Sequence, residues 1–121
     1  MTYILIAEDD PHIQLLIQRK LETAGYKVRT TSDGGEALQM VLDDPPRILL
    51  LDLMLPGMTG LEVCRNVKEQ LGNKAPSVII VSARGQQSDV DAGESAGADD
   101  YLIKPFSPRD LLDHVETILG R

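Results

Sequence analysis

The sequence predicts an α/β protein in which five parallel strands are covered on both faces by helices. Two observations predict it. Short runs of apolar residues alternate along the whole chain with longer segments whose apolar residues recur at helical spacing, a pattern that calls for parallel strands joined by right-handed crossovers. Most of those runs show no polar alternation, as expected of strands buried on both faces.

Each element has its own local signals. Residues 3–7 form the first apolar run, a buried strand. Asp10 is a candidate N-cap with Pro11 at the first helical position, and Ile13, Leu16, Ile17, Leu21 and Ala24 make one apolar stripe that Gly25 ends. Residues 26–31 alternate, with Lys27 and Arg29 between Tyr26, Val28 and Thr30, so this strand has one wet face and belongs at a sheet edge.

Asp33 and Glu36 have capping-box spacing ahead of Ala37, Leu38, Met40 and Val41, and Asp44-Pro45-Pro46 stops that helix. The third strand, 48–51, runs into Asp52 and then Leu53-Met54-Leu55-Pro56-Gly57, where Pro-Gly forces a turn. A helix over 60–71 carries Leu61, Cys64, Val67 and Leu71 on one stripe, which makes the single cysteine a core thiol. Residues 78–81 are the fourth strand. The segment 88–96 has Gly93 in its middle and only Val90, Ala92 and Ala96 to bury, so it is expected to be a weakly held helix and a candidate moving part. Residues 101–103 are a fifth, shorter strand, and Ser107-Pro108-Arg109-Asp110 opens a last helix with Leu111, Leu112, Val115, Ile118 and Leu119 inward.

Composition narrows the function. Among 121 residues, twelve basic against nineteen acidic side chains give a net charge of −7, which argues against wrapping nucleic acid or binding an anionic membrane. One cysteine permits no internal disulfide and fits a reducing compartment, no apolar run reaches membrane-spanning length, and no signal-peptide pattern opens the chain; the expected location is cytoplasmic.

The strand ends carry the chemistry. The first strand runs into Glu8 and Asp9, the third into Asp52, the fourth into Ser82 and the fifth into Lys104. Singly, these could be a solvated turn, a cap hydroxyl and a surface charge. Jointly they lie along the carboxyl edge of the sheet, where open α/β folds bind ligands. Three carboxylates there would repel one another unless a cation neutralised them, and an all-oxygen donor set without His or Cys favours Mg²⁺, with Mn²⁺ as a substitute. Lys104 suits an arriving anion, Ser82 offers it a hydrogen bond, and Asp52 is a candidate nucleophile that would become an aspartyl phosphate.

Ile4-Leu5-Ile6-Ala7-Glu8-Asp9-Asp10, Leu51 to Gly60, Val81-Ser82-Ala83 and Lys104-Pro105-Phe106 together resemble the receiver domain of bacterial two-component response regulators over essentially the whole chain. The resemblance implies a flavodoxin-like (βα)5 sheet of order 2-1-3-4-5 and a single receiver domain over 1–121 without an effector domain. It implies Asp52 as phosphoacceptor, Asp9 as direct and Glu8 as water-mediated Mg²⁺ ligand, the Met54 backbone carbonyl as a further ligand, Ser82 and Tyr101 as switch residues, Lys104 as the phosphoryl-pairing lysine and a cis bond before Pro105. The implied partners are a sensor histidine kinase or phosphotransfer protein and a downstream effector, and the domain would not turn over a substrate beyond its own phosphorylation and dephosphorylation.

The runs Gly97 to Tyr101 and Lys104 to Pro108 look most like those of receivers attached to winged-helix transcription factors. Such receivers pair through basic residues where this chain has Val90 and His114, so a monomer or weak dimer is expected. Met54 and Arg84 stand where the family tunes acyl-phosphate hydrolysis, and Met54 cannot orient a water. Competing readings are a haloacid-dehalogenase-type phosphatase, which would want a second Asp where Met54 stands, a flavin or nucleotide binder, whose phosphate Glu8-Asp9-Asp10 would repel, and a degenerate receiver that binds partners without being phosphorylated.

Overall fold

The computed structural model describes residues 2–120, so both ends of the 1–121 unit lie outside the described residues. The strands are β1 (Ile4–Ala7), β2 (Val28–Thr31), β3 (Ile48–Asp52), β4 (Ser77–Ser82) and β5 (Asp100–Ile103). The helices are α1 (Pro11–Thr23), α2 (Gly34–Asp43), α3 (Gly60–Leu71), α4 (Gln87–Ser95) and α5 (Pro108–Leu119). The strands form one sheet in the order β2-β1-β3-β4-β5, and every pairing is parallel. The wet-faced second strand is an edge strand, as its alternation requires.

Period-two alternation sorts the buried strands' side chains onto two cores. Leu5, Ala7, Leu49, Leu51, Val78 and Ile80 face α2 and α3, meeting Ala37, Val41, Val63, Cys64 and Val67. Ile4, Ile6, Ile48, Leu50, Ile79, Val81 and Leu102 face α1 and α5, meeting Ile17, Leu21, Leu111 and Val115. Cys64 is fully buried with its thiol on the Ala96 carbonyl at 3.4 Å, and burial pushes that thiol up to about 11.

Four local expectations are corrected. Leu16 belongs to no core: it is 46% exposed beside Leu15 at 45%, because a stripe centred on Ile17 and Leu21 leaves a neighbour about 100° round the helix on the flank. Ala24 is exposed as the C-cap residue of α1. The ladder of β2 begins only at Val28, although the Lys27 carbonyl still accepts the Ile4 N–H. The Asp33–Glu36 capping box is half formed. Asp33 accepts the Glu36 N–H at 2.8 Å, but the Glu36 carboxylate takes the Thr31 hydroxyl hydrogen at 2.5 Å instead of reaching back to the cap. The box opening α5 is complete in both directions between Ser107 and Asp110.

α4 is the loosest helix in apolar terms. Gly93 is its only buried residue, so it lacks the roughly 1.5–3 kcal/mol that each fully buried Leu, Ile or Val contributes elsewhere. That glycine is also a seat. A Cβ there would lie 2.9 Å from the Ile80 Cδ1 and 3.2 Å from the Tyr101 ring, so the helix approaches β4 and β5 because Gly93 has no side chain.

Candidate functional site

Register brings the strand-end residues together. Ala7 pairs with Leu51 across β1 and β3, so Glu8 leaves its strand beside Asp52; Asp52 pairs with Val81, and Ser82 pairs with Ile103, the residue before Lys104. Glu8, Asp52 and Ser82 are all buried, at 2%, 5% and 1% exposure, while Asp9 is exposed. Carboxylate oxygens of Glu8, Asp9 and Asp52 lie within 4.8 Å of one another.

Lys104 reaches into this cluster from the far strand. Its ammonium donates to Glu8 Oε1 at 2.8 Å and to Asp52 Oδ2 at 3.3 Å. Burial would lower the ammonium's pKa, yet Glu8 and Asp52 together hold it above its ordinary value. Burial raises Glu8 from 4.5 to about 7, with Lys104 and the Asp10 N–H pulling it down and Asp52 adding to the rise. The two neighbouring carboxylates are why the lysine keeps its proton, and burial, with a smaller push from Asp52, is why Glu8 tends to gain one.

The surrounding loops orient these groups. The Glu8 carboxylate accepts the Asp10 N–H at 3.1 Å, and Asp10 caps α1 through the His12 and Ile13 N–H groups. Asp52 Oδ1 accepts the Met54 N–H at 3.1 Å, closing a tight turn at the end of β3. Gly60 lets α3 start against that turn, since a Cβ there would lie 2.4 Å from the Asp52 carbonyl. The Lys104–Pro105 peptide is cis. Ser82 accepts the Arg84 N–H at 3.1 Å, and the Tyr101 hydroxyl donates to the Arg84 carbonyl at 2.5 Å. Met54 is 59% exposed beside the turn. It lines a groove of about 310 Å³ together with Leu53, Thr59, Leu61 and Arg84.

The donor set fits a hard divalent cation. All the candidate side-chain ligands are carboxylates, and Asp9 carries a carboxylate with no protein partner among the described residues. Residues 4–116 match the family described as response regulator receiver domain. The chain belongs to that family. Among its curated relatives, Transcriptional regulatory protein ResD of Bacillus subtilis is 38% identical over 120 residues, which are 99% of this receiver chain and 49% of that protein. Response regulator MprA of Mycobacterium leprae is 42% identical over 118 residues, covering 98% of this chain and 51% of that protein. This receiver chain thus spans about half the length of those relatives. The solved "BeF3 Activated DrrB Receiver Domain" superposes with a TM-score of 0.88 at 34% identity over 100% of both chains. As a receiver, the chain is a signalling domain rather than a metabolic enzyme. No helix among its described residues is long and apolar enough to cross a membrane.

Sequence reasoning missed two parts of this surface. Leu16, on the apolar stripe of α1, lines with Ile13, Ala83, Pro105 and Phe106 an apolar cavity of about 280 Å³ next to Lys104. The signal was present: a helix with adjacent leucines has more apolar residues than one sheet-facing stripe can bury. The second is Gln14, whose amide spans two loops.

Proposed function

We propose that Asp52 accepts a phosphoryl group from a phosphohistidine and that the resulting charge is relayed to the face formed by α4, β5 and α5. The observation that carries this reading is the convergence of Asp52, Glu8 and Lys104, from three strands, in one buried cluster. Membership of the receiver family supports it.

In this reading an Asp52 carboxylate oxygen attacks phosphorus, the P–O bond forms as the P–N bond breaks, and the leaving imidazole takes up a proton. A Mg²⁺ ion, or Mn²⁺, would be held by Asp9, Asp52 and the Met54 carbonyl, with Glu8 acting through water, and would supply neutralisation of the phosphoryl oxygens. Lys104 moves its ammonium from Asp52 to a phosphoryl oxygen. Phosphorylation adds nearly two negative charges and three strong acceptors, so Ser82 turns its hydroxyl toward them. The Arg84 N–H then loses its acceptor, the 82–84 segment shifts, and Tyr101, bonded to the Arg84 carbonyl, changes orientation with it.

Membership of the receiver family supports the partners of this reading. The phosphodonor would be a sensor histidine kinase or phosphotransfer protein, and Leu15, Leu16 and the groove at Phe106 offer it an apolar landing beside the site. The output would pass to a downstream effector protein or domain. Phosphotransfer from a panel of histidine kinases tests the reading: Asp52→Ala should abolish labelling, and labelling of that variant equal to wild type would refute it. Failure of acetyl phosphate or beryllofluoride with Mg²⁺ to modify the wild type would favour a phosphorylation-independent interaction module instead.

A further inference from the structure

Behind the carboxylate cluster lies a side chain that touches no reacting group. The ladder of β1 ends at Ala7, and Glu8 O is the first carbonyl beyond it. That carbonyl accepts from Gln14 Nε2 at 2.9 Å, and the same amide reaches the Thr31 carbonyl at 3.2 Å and the Ser32 hydroxyl at 3.4 Å. The Thr31 carbonyl also accepts the Glu8 N–H at 3.0 Å. Both peptide groups flanking the Glu8 α-carbon are therefore tied to the end of β2, one directly and one through Gln14.

The tie continues to the other side of the site. The Thr31 hydroxyl holds Glu36, whose N–H is bound by Asp33, and Gly34 donates to the Pro56 carbonyl at 3.0 Å in the loop that follows Asp52. A Cβ on Gly34 would lie 1.8 Å from the Met58 carbonyl oxygen, so this contact is as close as a backbone permits. The start of α2 thus braces the Asp52 loop, while Gln14 braces the Glu8–Asp9 turn against the same region.

Three carboxylates in one cluster repel, and a turn beyond the last ladder bond can relieve that repulsion by opening. We infer that Gln14 is a positioning residue: by binding the Glu8 carbonyl it fixes the Glu8–Asp9 peptide, and with it the direction from which these two carboxylates meet a divalent cation beside Asp52. This rests on the phosphoacceptor reading above and deepens it. Groups one shell behind metal ligands act in this way, by orientation rather than contact.

Gln14→Leu keeps most of the volume and removes the donor, Gln14→Glu keeps the shape and sets a carboxylate against two carbonyls, and Gln14→Arg restores donors. The readouts are Mg²⁺ affinity of the unphosphorylated protein by calorimetry, amide exchange at residues 8–10, and thermal unfolding in chelator. Gln14→Leu should bind Mg²⁺ about tenfold more weakly with faster exchange at 8–10 and an unfolding temperature close to wild type. Gln14→Glu should be weaker still, and Gln14→Arg should recover toward wild type. Wild-type affinity in Gln14→Leu overturns the inference, as does a loss that merely tracks lowered stability and is not recovered by Arg. A wild-type protein that binds no Mg²⁺ would instead refute the site reading on which the inference stands.

Discussion

Ser82 and Tyr101 hold the two polar ends of one residue's backbone, Ser82 accepting the Arg84 N–H at 3.1 Å and Tyr101 donating to the Arg84 carbonyl at 2.5 Å. Ser82 is buried at the end of β4 and Tyr101 is half-buried on β5, so the Arg84 backbone connects the two. Each bond contributes about 1 kcal/mol net. Tyr101→Phe and Ser82→Ala should each accelerate amide exchange around residues 84–87 in the unphosphorylated protein. Unchanged exchange in both would show that the link carries no tension.

The burial of the Glu8 carboxyl has a pH signature. In the metal-free protein Glu8 titrates near 7 against an ordinary value of 4.5, so the folded state binds its proton more tightly than the unfolded chain does. The stability this confers is fully present below pH 4.5 and is lost as pH rises through about 7. Urea unfolding in chelator should show a loss on the order of 2 kcal/mol between pH 5 and 8, absent in Glu8→Gln. A wild-type profile as flat as the variant's would contradict the assignment.

Gly93 sets two effects against each other. An alanine there gains about 1 kcal/mol of helix propensity but crowds Ile80 and the Tyr101 ring, and overpacking costs about 1–3 kcal/mol. Packing wins because the Ile80 Cδ1 met at 2.9 Å belongs to a fully buried side chain in a close-packed core, with little room to give way. Gly93→Ala should therefore lower the thermal midpoint; a rise would mean α4 shifts freely over the sheet.

Met54 projects an apolar side chain into the solvent-facing groove beside Asp52, where it can neither orient a water nor accept its proton. Phosphorylated wild type should be long-lived, and Met54→Asn should shorten that lifetime severalfold in a hydrolysis time course. Equal decay would remove the role assigned to this position.

Self-association should be weak. α4, β5 and α5 carry Asp89, Asp91, Glu94, Asp100, Asp110, Asp113 and Glu116, while Arg109 pairs with Asp113 and His114 with Asp100 within the chain. Two copies of so acidic a face repel, and salt screens that repulsion. Sedimentation should find a monomer or weak dimer whose association does not weaken as salt is raised, whereas a tight dimer dissolved by salt would refute this.

The candidate site was legible to an unusual degree because its groups sit where continuous apolar runs stop. A carboxylate, a hydroxyl or a lysine at such a point is visible without knowing what lies beside it, and parallel strands place all the stops on one edge. The positioning groups were not legible. Gln14 reads as an ordinary polar residue on an amphipathic helix, and only the approach of β2 to the end of β1 gives its amide two carbonyls to bind.

By itself the sequence determined the alternation of strands and helices, the edge position of β2, the caps of α1 and α5 and the chemistry at each strand end, since all of these are encoded in local spacing of residue types. Tertiary structure decided which apolar residues of α1 are core and which remain on the surface, that Gly93 is a packing seat as well as a weak point, and that Lys104 reaches Glu8 across 96 residues of chain. The physical reason is range. Periodicity reports which face of an element is apolar, but the width of that face's contact, the closeness of two backbones and the partner of a polar group depend on neighbours that strand order alone supplies.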